Sequence, residues 1–149
     1  MEIIDIKRNP KFLKEYIKLC SLEWGKPKSE DEMKEYIIQK EKRILAGDKV
    51  ISVLGLIKDS KLIGFISLFK YEDDKTTKLT PWYATIYVKK EYRGNGYSKI
   101  LNDEILKEAK KLGYSKIYLK TTLTNFYEKF GAIYMGELES KEKLYYIDL

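Results

Sequence analysis

Apolar and polar positions change their period several times along the chain, and each change marks an element. EIIDIK (2–7) reads as a short strand. Residues 12–24, FLKEYIKLCSLEW, place apolar side chains at 12, 13, 16, 17, 19, 20 and 24, the repeat of an amphipathic helix. Gly25 and Pro27 stop it. Ser29 and Glu32 have the S-x-x-E spacing of a capping box, ahead of a second helix that carries Met33, Tyr36, Ile37, Ile44 and Leu45 and ends at Gly47. Two β-branched and aromatic runs follow, VISVLGLIK (50–58) and KLIGFISLFKY (61–71). The two-residue gap between them, Asp59-Ser60, predicts a hairpin.

YEDDKTTKLT reads as a polar loop, and Pro81 introduces the strand WYATIYV. In SKILNDEILKEAKKLG, Leu101, Ile105, Ala109 and Leu112 lie on one helical stripe, with Gly113 placed for a left-handed cap. KIYLK (116–120) is the next strand. A strand–helix–strand crossover predicts that it runs parallel to WYATIYV with a right-handed connection. TNFYEKFG predicts a fourth, short helix ending at Gly131, and IYMGEL and KLYYID a closing antiparallel pair. The expected architecture is mixed α+β, with antiparallel strands first and one crossover in the second half.

VKKEYRGNGYSKIL (88–101) is unusual in this pattern. An apolar strand ends on Arg93-Gly94-Asn95-Gly96, and a helix starts at once without Ser, Thr or Asp as its cap. A helix N-terminus carries four unpaired N–H groups and a partial positive charge. Two glycines let a ligand reach that backbone, and Lys89, Lys90, Arg93 and Lys99 add positive charge. Strand, glycine loop and helix together predict a phosphate cradle. It is neither the dinucleotide fingerprint G-x-G-x-x-G, since Lys99 stands where its last glycine belongs, nor the P-loop.

Composition narrows the chemistry. Histidine is absent and there is one cysteine, Cys20, among 149 residues. Ser-His and Cys-His mechanisms, Cys/His zinc sites and an internal disulfide are thereby excluded, and the cysteine usage fits a reducing cytoplasm. Cys20 lies on an apolar helix face and reads as a small buried hydrophobe. The 44% apolar and 35% charged content predicts one soluble domain over 1–149, with no metal, signal peptide or membrane span. The net charge of +6 is spread along the chain, and no dense basic block or RNA-binding signature predicts nucleic acid as a partner.

The stretch RGNGYS (93–98) resembles motif A of the GCN5-related N-acetyltransferases (GNAT), Q/R-x-x-G-x-G/A, with Ser98 in place of the last residue. PWYATIYVKKEYRG (81–94) is similar to that family's fourth strand and its approach to the loop, with Lys90 where Pro is frequent. FYEKFG (126–131) resembles its motif B, with Ala132 in place of the following aromatic. The resemblance covers about residues 50–149. It implies a GNAT-like acyl-CoA N-acyltransferase fold, a central mixed sheet of about six to seven strands flanked by about four helices.

It also implies acetyl-CoA as co-substrate and a primary amine of a small molecule or peptide as acceptor. The diphosphate would lie on Arg93, Gly94, Asn95, Gly96, Tyr97, Ser98 and Lys99, and the pantetheine arm along Ile86, Tyr87 and Val88. Asn125 joins this set. The Val88 N–H would face the oxyanion, and Tyr127 would be the general acid. Glu23, Glu72, Asp73 and Asp74 are candidate bases, with Tyr83 and Thr85 as water holders. Trp24, Trp82 and Tyr83 are candidate acceptor walls. Many members of that family pair through their C-terminal strands, where this chain carries Tyr145 and Tyr146, which leaves the oligomeric state open to a homodimer. A sensor that binds acetyl-CoA without turnover is the alternative reading of the same residues.

Overall fold

The computed structural model describes residues 1–72 and 78–149. The elements are β1 (Glu2–Asp5), α1 (Pro10–Trp24), α2 (Glu30–Leu45), β2 (Val50–Lys58), β3 (Lys61–Phe69), β4 (Trp82–Val88), α3 (Tyr97–Lys111), β5 (Lys116–Thr121), β6 (Ile133–Glu137) and β7 (Lys143–Asp148). The strands form one seven-stranded sheet in the order β1-β2-β3-β4-β5-β7-β6. Every neighbouring pair is antiparallel except β4 and β5, the crossover expected from the sequence. No described helix is long and apolar enough to cross a membrane.

Local chemistry accounts for the element ends. Asp59 and Ser60 both take positive φ, 51° and 62°, the backbone of a two-residue hairpin turn that matches strand twist. The Ser29 hydroxyl accepts from the Glu32 N–H at 3.1 Å, and the Glu32 carboxylate accepts from the Ser29 N–H at 2.9 Å, closing the N-terminus of α2. A cap of this kind is worth about 1 kcal/mol. Gly113, with φ 97°, follows α3, and the Tyr114 N–H donates back to the Ala109 carbonyl at 3.1 Å.

The fourth expected helix is a single 3-10 turn, Tyr127–Phe130, so three α-helices flank the sheet among the described residues. Four residues ended by left-handed Gly131 are too few for an α-helical ladder.

β2 and β3 read as near-continuous apolar runs because both their faces are covered. Leu54, Leu56, Ile63 and Leu68 pack with Leu101, Ile105 and Ala109 of α3. Val53, Ile57, Leu62 and Phe65 pack with Leu13, Tyr16 and Ile17 of α1 and Ile44 of α2. Trp82 is fully buried, with its indole N–H donating to the Leu79 carbonyl at 2.7 Å. It is a core residue and forms no acceptor wall.

Two buried phenols set an alkaline limit on stability. Burial pushes Tyr16 and Tyr83 far above the ordinary tyrosine range. Below about pH 10 both are neutral in the folded and unfolded chain alike. Above that value only the unfolded chain ionises, and folding weakens by about 1.4 kcal/mol per pH unit per phenol. The pair is expected to remove about 3 kcal/mol between pH 9 and pH 11. Urea unfolding at the two pH values checks this, and Tyr16→Phe should shrink the loss by about half.

Candidate active site

The site lies where the sheet divides. β4 and β5 share one registered pair, Trp82 with Tyr118, and the Tyr118 N–H donates to the Pro81 carbonyl at 2.9 Å. Beyond that point their carboxyl halves run apart. Ala84, Thr85 and Ile86 of β4 then face Leu119 and Lys120 of β5 across a cleft of about 470 Å³.

β4 is irregular where it leaves β3. Phe65 pairs with Tyr87 and Ser67 with Ala84, so β4 spends one more residue than its neighbour across this interval. Thr85 has φ 46°, a rare conformation for a β-branched residue. Its hydroxyl donates to the Ser67 hydroxyl, which also bonds the buried Tyr16 hydroxyl at 2.7 Å. A chain of three hydroxyls from α1, β3 and β4 therefore ties the bulge to the core.

A second cleft, of about 500 Å³, follows β4 to the start of α3. Ile86, Tyr87 and Val88 form one side, and Arg93, Gly94, Gly96, Tyr97 and Ser98 form the end. Gly94 and Gly96 take φ of 82° and 77°, and a Cβ on either would meet no atom within 4 Å. No side chain caps α3, in contrast to α2, so its first-turn amides face open space. This arrangement fits a diphosphate, whose charge suits free N–H groups at a helix start. The Arg93 Nε–H donates to the Val88 carbonyl at 2.8 Å and pins the loop to the end of β4.

Three sequence-selected residues do not line this cleft. The Asn95 amide donates to the Tyr92 carbonyl at 3.0 Å and so braces the loop from within. Lys99 pairs with Asp103 at 2.8 Å on the exposed side of α3. Asn125, with φ 58°, lies in a separate depression with Glu128, Tyr134, Lys143 and Tyr145.

Tyr127, Trp24 and Ile86 line both clefts and so mark their junction. The Tyr127 ring stands edge-on to Tyr83 at 5.7 Å and to Phe126 at 4.8 Å. The 3-10 turn fixes its base, since the Ala132 N–H donates to the Tyr127 carbonyl at 3.2 Å. Burial raises the Tyr127 pKa, so the phenol stays protonated at neutral pH. The Tyr83 hydroxyl is buried beside it without a hydrogen-bond partner.

Of the candidate bases, Glu72 lines the first cleft and Glu23 the second. Asp73 and Asp74 lie outside the described residues. Glu142 and Lys120 also line the first cleft, with Lys120 3.8 Å from both Glu72 and Glu142. Neither belongs to a motif, and only the β5–β7 pairing brings them together. Cys20 is part-buried on a cavity wall, its thiol pushed up to about 12 by burial, which makes it a poor nucleophile.

Residues 13–132 match the Acetyltransferase (GNAT) family. The chain belongs to the GNAT acetyltransferases. Solved GNAT-fold structures align over nearly its whole length. The PaiA N-acetyltransferase from Thermoplasma acidophilum, in complex with coenzyme A, is 22% identical with a TM-score of 0.65, covering 99% of this chain and 98% of that one. An aminoglycoside 6'-acetyltransferase type Ii is 19% identical with a TM-score of 0.71, covering 99% and 97%. YncA from Salmonella typhimurium, a putative acetyltransferase with acetyl-CoA bound, is 16% identical with a TM-score of 0.67, covering 100% and 94%. At these identities the likeness shows the GNAT fold. No curated protein matches the sequence.

Proposed function

We propose that this GNAT chain transfers the acetyl group of acetyl-CoA directly to a primary amine of a small molecule or peptide. The observation that carries the reading is the position of Tyr127, where a cleft ending in uncapped helix amides meets a second cleft lined by carboxylates. When bound, acetyl-CoA supplies an activated acetyl group with a thiolate leaving group.

The residues then divide the work. Amides of Gly94, Gly96, Tyr97 and Ser98 hold the diphosphate, with Arg93 adding charge. The edge of Ile86, Tyr87 and Val88 offers main-chain groups to the extended, amide-bearing arm. The Val88 N–H, just beyond the bulge, is assigned to the developing oxyanion. Losing such a donor costs about 2.7–4 kcal/mol. The Tyr127 hydroxyl donates toward the departing sulfur. Reference values of about 10 for a phenol and 8.5 for a thiol make complete transfer uphill by about 2 kcal/mol. Its raised pKa widens that gap, so a strong hydrogen bond to the thiolate is the main contribution.

On the other side, a lysine-like amine of pKa about 10.4 is neutral in only about 1 of 2,500 molecules at pH 7. Glu72 and Glu142 draw the ammonium in and accept its proton through water.

Incubation with acetyl-CoA and a panel of primary amines, followed by thiol release and the mass of the product, tests the reading. Amine-dependent thiol release with a product about 42 Da heavier than the amine (the net gain when one acetyl takes the place of one hydrogen) is the expected result. Tight acetyl-CoA binding with no transfer would instead favour the sensor.

A further inference from the structure

The acceptor cleft is bounded on one side by Trp24 and Thr85. Both residues also line a cavity of about 230 Å³ that reaches α1, α2 and the ends of β2 and β3. Tyr16, Ile17, Tyr36 and Phe69 give this cavity apolar and aromatic walls. Lys40 and Lys49 supply its charge, and no carboxylate is among the described residues that line it.

Among the described residues, neither ammonium has an ion-pair partner. Lys40 makes no hydrogen bond or ion pair with a described residue, and burial, then Arg43 and Lys49, hold its pKa below the ordinary lysine value. Asp48 and Cys20 oppose that shift without lining up as salt-bridge partners. Lys49 donates to the Glu72 main-chain carbonyl at 3.4 Å and lies 5.0 Å from the centre of the Phe69 ring. At the rim, Lys28 donates to the Ser21 hydroxyl at 2.9 Å and stands 4.3 Å from the centre of the Tyr36 ring.

Half-desolvated like charges repel, and an anion placed between them relieves that cost. Charge therefore changes sign between two adjoining spaces that share Trp24 and Thr85 as walls. Two carboxylates and one lysine line the part beside Tyr127, and among the described residues only lysines carry charge in the cavity beyond Trp24.

Taking the N-acetyltransferase reading as its basis, we propose that the acceptor is a primary amine bearing a carboxylate or phosphate on an apolar or aromatic body. The amine lies beside Tyr127 and the anion between Lys40 and Lys49. A simple cationic polyamine would meet repulsion in the inner cavity.

Three matched acceptors test this: 2-phenylethylamine, 4-(2-aminoethyl)benzoate and tyramine O-phosphate. The expected result is a KM at least about tenfold lower for an anionic member than for 2-phenylethylamine, since tenfold corresponds to one modest charge contact. The two anionic arms separate carboxylate from phosphate. Lys40→Gln should abolish the preference and Lys40→Glu should reverse it. Equal KM values across the series, or a preference that survives Lys40→Glu, would overturn the proposal.

A binding arm keeps it apart from the catalytic reading. Calorimetry of 4-(2-aminoethyl)benzoate and of tyramine O-phosphate into CoA-saturated protein needs no turnover. At least one should bind about tenfold more weakly to Lys40→Glu than to the parent. If that holds while no amine is acetylated, the anion site stands and the transferase reading falls. If amines are acetylated with no anionic preference, the anion site falls alone. Failure of both acids to bind also overturns it.

Discussion

Tyr127→Phe is expected to lower kcat by about 10²–10⁴-fold, the usual contribution of a positioned proton donor. Affinity for acetyl-CoA should stay within about twofold, because the change removes one oxygen and keeps the ring. The ring makes edge contacts to Tyr83 and Phe126, and the turn is held by main-chain bonds to Glu128 and Tyr127 carbonyls. Fold and cofactor cleft are therefore preserved in the variant.

Thiol release at saturating acceptor gives kcat, and calorimetry gives the affinity. The pH profile supplies a sign. A donor works only while protonated, and burial moves Tyr127 upward. Its alkaline limb should therefore lie above about pH 10 in the parent and vanish in the variant. An unchanged kcat in Tyr127→Phe would remove the assignment.

Gly96→Asp is the second large effect. It is expected to weaken acetyl-CoA binding by at least about 100-fold, or about 2.7 kcal/mol. The new carboxylate would project into the open space that a Cβ at 96 reaches without touching any atom. There it repels the diphosphate and occupies the first-turn amides of α3. The protein itself should scarcely notice. A left-handed non-glycine at φ 77° costs about 1–2 kcal/mol, and a negative charge at a helix start returns about 0.3–1 kcal/mol. Calorimetry against acetyl-CoA, paired with thermal unfolding of the free protein, separates the two quantities. Loss of binding with a nearly constant Tm is the expected pair of results.

The contrast between α2 and α3 explains how much could be read in advance. The Ser29–Glu32 box is a local signal, and it forms as the spacing predicts. The absence of such a signal before α3 was itself informative, because four amides without side-chain partners call for another anion. The hairpin at Asp59-Ser60, the crossover and the stop at Gly131 are likewise set by residues near in sequence.

What depends on distant pairing was not legible. WYATIYV reads as a plain strand, yet Thr85 takes φ 46° where the register with β3 shifts, and its hydroxyl bonds Ser67 and, through it, Tyr16. The seating of β7 between β5 and β6 brings Glu142 beside Lys120, and no window of neighbouring residues encodes that meeting. Of the three expected wall residues, Trp24 and Tyr83 line the cleft, whereas Trp82 is buried in the core. Asn125 shares a segment with Tyr127 but turns to another depression.

The lone rung between Trp82 and Tyr118 has a mechanical corollary. It leaves strands 1 to 4 and strands 5 to 7 as two leaves of one book, joined along the spine at a single stitch of backbone pairing. A long molecule laid down the gutter would add backbone partners there, while the shared core of Leu56, Ile63, Leu101, Ile117 and Tyr145 holds the two leaves together. Loading the gap should therefore slow amide exchange along the facing edges of strands 4 and 5 while the packing that joins the leaves stays as it is.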